Sequence, residues 1–378
     1  MTKICFHPFR NLARGVVFLG FFAVASCNVF ASDAGVFQGI LQSGSYNDES
    51  FGFIKIALTS SGKFSMRFNL GVNKVGIHSY AMTGTYDTNG HYHFEGPVVR
   101  DTRYAIARII DLQLDSPTSP HAITGFVTDG THTSTVELER LATFSASSPA
   151  PEQGRYTFLC SDPTLPYPYH GSGFGTVALK NNGRIVVRGR APDGRIFSQS
   201  TSLTENGRWP LFAKMAGATN GILSGWLAFR KTVESDFSGP LVWLGQERPG
   251  PNNAFVNAHV STNLSVAGAR YTPPPRQPLF QTSATTNDIH LSLSEGGLAN
   301  TIERNLTLTE TRRLIFNPKN IGDALSVKSA TGLFTGKFLH PAGYMIPFRG
   351  AILQKQNRGG GQFVERTGEG GVVALTPE

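Results

Sequence analysis

Along most of this chain apolar and polar residues alternate, and a Gly, Asn, Asp or Ser turn interrupts the alternation at short intervals. Ile54, Ile56 and Leu58 alternate with Lys55 and Ala57, and Phe64, Met66 and Phe68 alternate with Ser65 and Arg67. Tyr104, Ile106, Ile110, Leu112 and Leu114 share one parity of a longer run. Period two sends successive side chains to opposite faces, so these runs predict short antiparallel strands with one wet face. The turn signals are Ser61-Gly62, Asn89-Gly90, Asp129-Gly130, Asn182-Gly183, Asp193-Gly194 and Asn206-Gly207. Such pairs suit turns whose central residues take positive φ. Beyond residue 31 no stretch reads as an amphipathic helix.

Composition closes off the other fold classes. The 378 residues include 42 Gly and 27 Phe, and only 16% are charged. The chain is too apolar and aromatic for disorder. Its Gly lacks the three-residue period of collagen, and it lacks the residues of a helical bundle. The expected fold class is all-β: consecutive antiparallel meander modules, built as small β-barrels or sandwiches, after an N-terminal export signal.

Residues 1–31 carry that signal. Lys3, Arg10 and Arg14 form a basic stretch, and an apolar run from Val16 to Ala25 follows, too short to span a bilayer. Two cleavage points compete. Val29-Phe30-Ala31 suits ordinary cleavage after Ala31, and Val24-Ala25-Ser26-Cys27 resembles a lipoprotein box with Cys27 as the lipidated residue. Both readings place the mature chain outside the cytoplasm: secreted, periplasmic or lipid-anchored in the envelope. Cys160 then has no partner for an intramolecular disulfide and reads as a buried, inert thiol.

A repeat organises the rest. Gly52-Phe53 opens a strand that ends at Gly62, and Gly173-Phe174 opens one that ends at Gly183, with Ala-Leu at matching interior places. Gly322 to Gly332 has the same spacing. A second Gly-turn with an aromatic follows each: Asn89-Gly90-His91-Tyr92, Asn206-Gly207-Arg208-Trp209 and Gly360-Gly361-Gln362-Phe363. The expected modules are 34–146, 152–272 and 278–377, each with room for about eight short strands. A Ser/Pro linker at 147–151 and a stiff, extended Pro-rich linker at 273–277 separate them. Modules two and three joined in one domain is the alternative.

Gly171-Ser-Gly-Phe-Gly-Thr-Val-Ala-Leu, Asn182-Gly-Arg-Ile, Asp193-Gly-Arg-Ile, Ala330-Thr-Gly-Leu-Phe and the segment from Pro347 to Gln356 carry a resemblance. Residues 150–375, and more weakly 35–145, resemble uncharacterised Gly-rich β-repeat modules of large secreted or cell-surface bacterial proteins. The resemblance implies a surface β architecture and no catalytic residues.

No nucleophile elbow, His-Glu-x-x-His, P-loop or Cys-x-x-Cys is present. The metal candidates are His91 and His93, two apart on one strand face, with His78, His121 or His132 as distant third ligands. The repeat turns Tyr92 inward and both imidazoles toward solvent. Glu137 and Glu139 form a carboxylate pair that alternation reads as a wet strand face. Arg184, Arg188, Arg190 and Arg195 cluster around one hairpin and suit an anionic polysaccharide, a lipid headgroup or, against the export signal, nucleic acid, with edge protection as the competing role. Tyr167 and Tyr169, held between prolines, suit a sugar or a partner surface. Trp209, Trp226 and Trp243 lie in strand-like runs and read as core.

The expected function is a non-catalytic structural or binding role at the bacterial envelope or surface. The expected partners are an anionic glycan or an envelope component, with no nucleic acid and no cofactor. The alternatives are a hydrolase acting on extracellular polymers and an outer-membrane barrel. The charge of +8 is uneven. Residues 32–151 hold 8 basic and 11 acidic side chains, and residues 152–378 hold 23 and 15. An acidic partner is therefore expected on the second and third modules.

Overall fold

The computed structural model describes residues 33–43, 51–72, 76–96, 109–162, 164, 170–215, 221–245, 260–282, 287–311, 313–318 and 321–378. The export signal with Cys27, and the loop tyrosines Tyr167 and Tyr169, lie outside the described residues.

The described secondary structure is strand only. Strands β1–β8 are Gly35–Gln42, Gly52–Leu58, Lys63–Val72, Gly76–Thr85, His91–Glu95, Ile109–Leu114, Ala122–Thr128 and Thr133–Arg140. Strands β9–β16 are Gly154–Ser161, Gly173–Leu179, Arg184–Arg190, Ile196–Ser202, Arg208–Lys214, Ile222–Phe229, Phe237–Gly245 and Val260–Arg270. Strands β17–β24 are Asp288–Glu295, Ile302–Leu308, Leu314–Phe316, Ala324–Lys328, Leu333–Leu339, Met345–Leu353, Arg358–Val364 and Gly370–Pro377.

Each set of eight forms one antiparallel up-and-down sheet; its two edges fall between the fourth and fifth strands in the first two sheets and between the third and fourth in the third. The first has the order β4-β3-β2-β1-β8-β7-β6-β5. It is an up-and-down meander whose first and last strands pair, Phe37 against Arg140. The ladder is interrupted only between its fourth and fifth strands. The second and third sheets repeat this closure through β9–β16 and β17–β24. Each module is thus a near-closed barrel with one seam.

The barrels are filled. Inward residues of the first include Phe37, Ile54, Met66, Ile110 and Leu138. The second encloses Trp209, Trp243, Phe158, Phe197 and Phe237. The third encloses Phe334, Phe348, Phe363 and Leu375, with Leu279 and Phe280 added from the segment before β17. This apolar interior is the reverse of a membrane-spanning barrel, whose outward band is the apolar one.

Gly and Phe are abundant for one joint reason. In the ladders Phe64 faces Gly84, Gly189 faces Phe197, Phe237 faces Gly268, Phe334 faces Gly350 and Phe363 faces Gly371. Each ring lies over the glycine: a Cβ built on Gly268 would sit 2.1 Å from the Phe237 ring, and one on Gly371 would sit 2.0 Å from Phe363. A bare backbone on one strand is covered by an aromatic on the next, which lets a small barrel curve tightly without leaving a void.

The turns share a second device. At Thr59–Lys63 the Thr59 N–H donates to Lys63 O at 2.8 Å, and the Gly62 N–H donates to Thr59 O at 3.0 Å. The same pair of bonds closes the turns at Asp87–His91, Lys180–Arg184, Ala191–Arg195, Thr204–Arg208, His340–Tyr344 and Glu365–Glu369. Each is a β-turn followed by a one-residue bulge, with the glycine alone at positive φ (76° for Gly62, 69° for Gly207). Sequence had placed both central residues at positive φ. The residue before each glycine, Asn in three of these turns, stays out of positive φ because the bulge, not the turn, needs the left-handed residue.

The repeat holds in two modules and slips in the third. Gly62 and Gly183 both lie in the turn after the second strand of their barrels, and Gly90 and Gly207 both precede the fifth. Gly332 instead joins β20 and β21, the fourth and fifth strands of its barrel, and Gly360-Gly361-Gln362-Phe363 lies inside β23. The Pro-rich segment is not extended either. It turns, with the Arg276 N–H donating to Pro273 O at 3.3 Å, and buried Gln354 ties down both its ends through Thr272 O and Pro278 O. Residues 145–149 are exposed, but the segment is anchored at Ala150, which is fully buried and whose N–H donates to Asn181 O at 2.8 Å.

Outward faces meet at two junctions. Ile40 and Phe51 of the first barrel pack on Phe212, Ile222, Trp226 and Leu244 of the second. Leu159, Phe174 and Ala269 of the second pack on Ala351 and Leu353 of the third. Polar residues on these faces find backbone partners across the gap: Thr157 Oγ1 donates to Ile352 O at 2.6 Å, and Gln362 Nε2 donates to Ala191 O at 2.7 Å.

Candidate functional site

The two candidate histidines are engaged with a carboxylate. His91 Nε2 lies 3.2 Å from both Asp111 oxygens, and His93 Nδ1 lies 3.0 Å from Oδ2. Burial opposes ionisation of Asp111, but the hydrogen bonds from His93 and His91 outweigh it and hold its pKa below the usual range. Tyr92 packs edge-on against Phe64 at 4.8 Å, on the opposite face. Two of the distant ligand candidates are occupied elsewhere, His121 with Glu205 and His132 with Asp129; the side chain of His78 lies outside the described set. Among the described residues no group of three or more His, Cys, Asp or Glu is placed to hold a metal ion.

Strand β11 carries the basic row. Ile185 and Val187 point into the barrel, so Arg184, Arg188 and Arg190 point out. Arg184 Nε donates to Ser200 Oγ at 3.0 Å, and Arg190 Nη1 donates to Gly194 O at 2.7 Å. Arg188 is exposed between its ladder partners Thr176 and Ser198. No carboxylate pairs with Arg184 or Arg188 among the described residues. Arg195 does not belong to this row: it is buried, with Nε 3.2 Å from Asp193 Oδ2.

Glu137 and Glu139 overturn the wet-face reading. Their face of β8 meets the turn before β13, and Glu139 is only 5% exposed. Arg208 Nη1 donates to Glu139 Oε1 and Nη2 to Glu137 Oε1, each at 2.8 Å. Thr204 Oγ1 donates to Glu139 Oε2 at 2.6 Å and accepts from the Arg208 N–H at 3.2 Å. The Thr204–Arg208 turn thus presents one guanidinium to two carboxylates of the neighbouring barrel. The arrangement is a clamp between barrels, with both carboxylates already committed, and not an acid–base pair.

Beside the clamp lies a cleft of about 650 Å³. Its floor is the outward face of β14, β15 and β16, with Ser224, Trp226, Ser238, Pro240, Val242 and Asn263. Gln42, Ser43 and Phe51 of the first barrel form its wall. The Arg208 guanidinium lies 4.4 Å from the centre of the Trp226 ring. Trp209 and Trp243 are barrel core as expected, but Trp226 faces outward into the junction. Ser224 Oγ and Trp226 Nε1 are buried without a hydrogen-bond partner. Sequence reading missed this cleft because its residues come from five strands and two barrels.

A second titratable cluster joins two turns of the third barrel. Tyr344 stacks on His340 at 4.6 Å, lies 4.0 Å under the Arg366 guanidinium and hydrogen-bonds to Glu365. Burial opposes ionisation of Glu365, but hydrogen bonds from Tyr344 and from the Thr367 N–H prevail and bring its pKa to about 2.

Cys160 is fully buried, and burial pushes its thiol from 9.0 up to about 12. Iodoacetamide at pH 8 is therefore expected to leave Cys160 unmodified in the native protein and to alkylate it in urea, as read by peptide mass; native alkylation would contradict the packing. Above pH 9 the unfolded chain releases a proton that the folded chain keeps. Stability contributed by this group at lower pH is accordingly lost as pH rises from 9 toward 12.

No protein-family model and no curated protein matches the chain. Among solved structures, it is similar to a double mutant of transferrin binding protein B (TbpB) from Haemophilus parasuis Hp5, with TM-score 0.21 and 10% identity over 91% of this chain and 75% of that one. TbpB from serogroup B Neisseria meningitidis gives TM-score 0.21 and 10% identity over 92% and 77%. A TM-score of this size does not establish a shared fold.

Proposed function

We propose that the chain is an exported, non-catalytic binding protein of the bacterial envelope that takes an anionic glycan on the outer face of its second barrel. The observation carrying this reading is the row Arg184, Arg188 and Arg190 on one outward strand face. Residues two apart on a strand stand roughly 7 Å from each other, so the row spans roughly 20 Å of like charge. Such a row repels itself, and a polymer with regularly spaced carboxylates relieves the repulsion. The filled barrels and the committed carboxylates of Glu137 and Glu139 favour binding over catalysis.

Immobilised polygalacturonate tests it. The protein is expected to bind in low salt and to weaken as salt rises, because exposed charges are screened within about 10 Å at 0.1 M. Arg184→Ser/Arg188→Ser should reduce binding by about tenfold or more, since each lost charge-assisted contact is worth about 1 kcal/mol. Tyr167→Ala/Tyr169→Ala tests whether the proline-held loop takes part. Wild-type binding by the arginine double variant would overturn the reading.

A further inference from the structure

We propose that the cleft between the first and second barrels is a second, separate site, and that its ligand is an uncharged sugar. The site does not depend on the arginine row and draws on different chemistry.

Charge comes first. Arg208 lines the cleft and is held by the carboxylates of Glu137 and Glu139. With exposed Arg230 also in the lining, two basic residues stand against the two carboxylates bound to Arg208, and the local sum is zero. No Asp or Glu lines the cleft itself. An ionic ligand gains little there, in contrast to the outward row on β11.

The polar groups come next. Gln42, Ser224, Ser238 and Asn263 offer hydroxyls and amides, which both donate and accept. Ser224 Oγ and Trp226 Nε1 are buried donors without acceptors. Leaving such a group unmatched is costly, and buried polar groups in folded proteins are rarely left so. Both are on β14, two residues apart and on the same outward face. They call for an acceptor-rich ligand or the water that a ligand displaces.

Phe51, Pro240 and Val242 give the cleft an apolar side. A ligand that is apolar on one side and studded with hydroxyls on its edge matches this pairing, and a pyranose ring is built that way. The volume of about 650 Å³ is in the range of ordinary small-molecule sites.

Calorimetric titration of the full chain with neutral trisaccharides of glucose, galactose, mannose and N-acetylglucosamine, and with trigalacturonate, tests the assignment. At least one neutral trisaccharide is expected to bind saturably, with affinity independent of salt. Ser238→Phe fills the cleft and should abolish that binding with the thermal midpoint retained. Asn263→Ala should weaken it by about fivefold, the loss of one hydrogen bond. If Ser238→Phe proves unstable, Asn263→Ala and Gln42→Ala carry the test. Arg184→Ser/Arg188→Ser should leave it unchanged, which separates this site from the proposed polymer surface. Absence of neutral-sugar binding, binding of trigalacturonate alone, or full binding in the cleft variants would overturn the proposal.

Discussion

Gly268→Ala is expected to destabilise the second barrel by about 3 kcal/mol, at the top of the usual range for overpacking. The added methyl would sit 2.1 Å from a ring carbon of Phe237. That ring is fully buried and hemmed in by Trp209 at 5.9 Å, Tyr156 at 5.8 Å and Phe229 at 5.6 Å, so it has nowhere to swing. Phe237→Leu alone should cost about 1–2 kcal/mol as a core truncation. In the Gly268→Ala background it should instead restore stability, because it removes the atoms in conflict. This opposite sign in a double-mutant cycle is the measurement that matters. Additive losses would mean that the ring and the glycine are not a unit. Gly207→Ala serves as a contrast. Its φ of 69° is strained for alanine, but nothing stands within 4 Å of the new Cβ. Its expected cost is about 1–2 kcal/mol, from backbone strain alone.

The second large effect is expected from Arg208→Met, at about 3 kcal/mol by urea unfolding. The variant strands Glu139, buried with its remaining oxygen on Thr204, and releases Glu137. Glu139→Gln added to Arg208→Met should recover much of the loss, since the uncompensated charge is then gone. Because the clamp joins two barrels, the single variant should also separate their unfolding transitions. A loss below about 0.5 kcal/mol, typical of exposed pairs, would show that the clamp carries no load.

Strand positions, turn glycines and the absence of helix among the described residues could be read from alternation because one face of nearly every strand enters a barrel core. The junction faces could not. Gln38, Glu139, Thr157 and Gln362 are polar and alternate as solvent-facing residues would, yet all four are buried. Each is matched to a group on a neighbouring barrel more than 60 positions away. Period two distinguishes two faces but does not say which is wet when polar groups are paired at a distance.

The slipped third repeat has a local cause. The carbonyl of the turn glycine receives an N–H from the end of the strand after next in five places: Tyr86 to Gly62, Leu114 to Gly90, Leu203 to Gly183, Phe229 to Gly207 and Ile352 to Gly332. The spacing around Gly332 therefore marks a hairpin of this type and not a position within the barrel. The candidate site was less legible than the fold. The arginine row shows as three of the four outward positions on one strand, whereas the cleft needs Gln42 and Asn263 brought together from different barrels.

The pairing of first and last strands governs how the molecule meets tension. In the first barrel Phe37 and Arg140 are paired where the chain enters and leaves. A pull on the two ends would load the hydrogen bonds between β1 and β8 one at a time, peeling the strands apart like a zipper. Parallel loading of a whole ladder, which resists in unison, does not arise from that geometry. Each opened barrel would release roughly 350 Å of chain, at about 3.4 Å per residue over about 100 residues. Three such barrels in series make an extensible tether in which the inter-barrel contacts, the Arg208 clamp among them, stand between rest and the first opening.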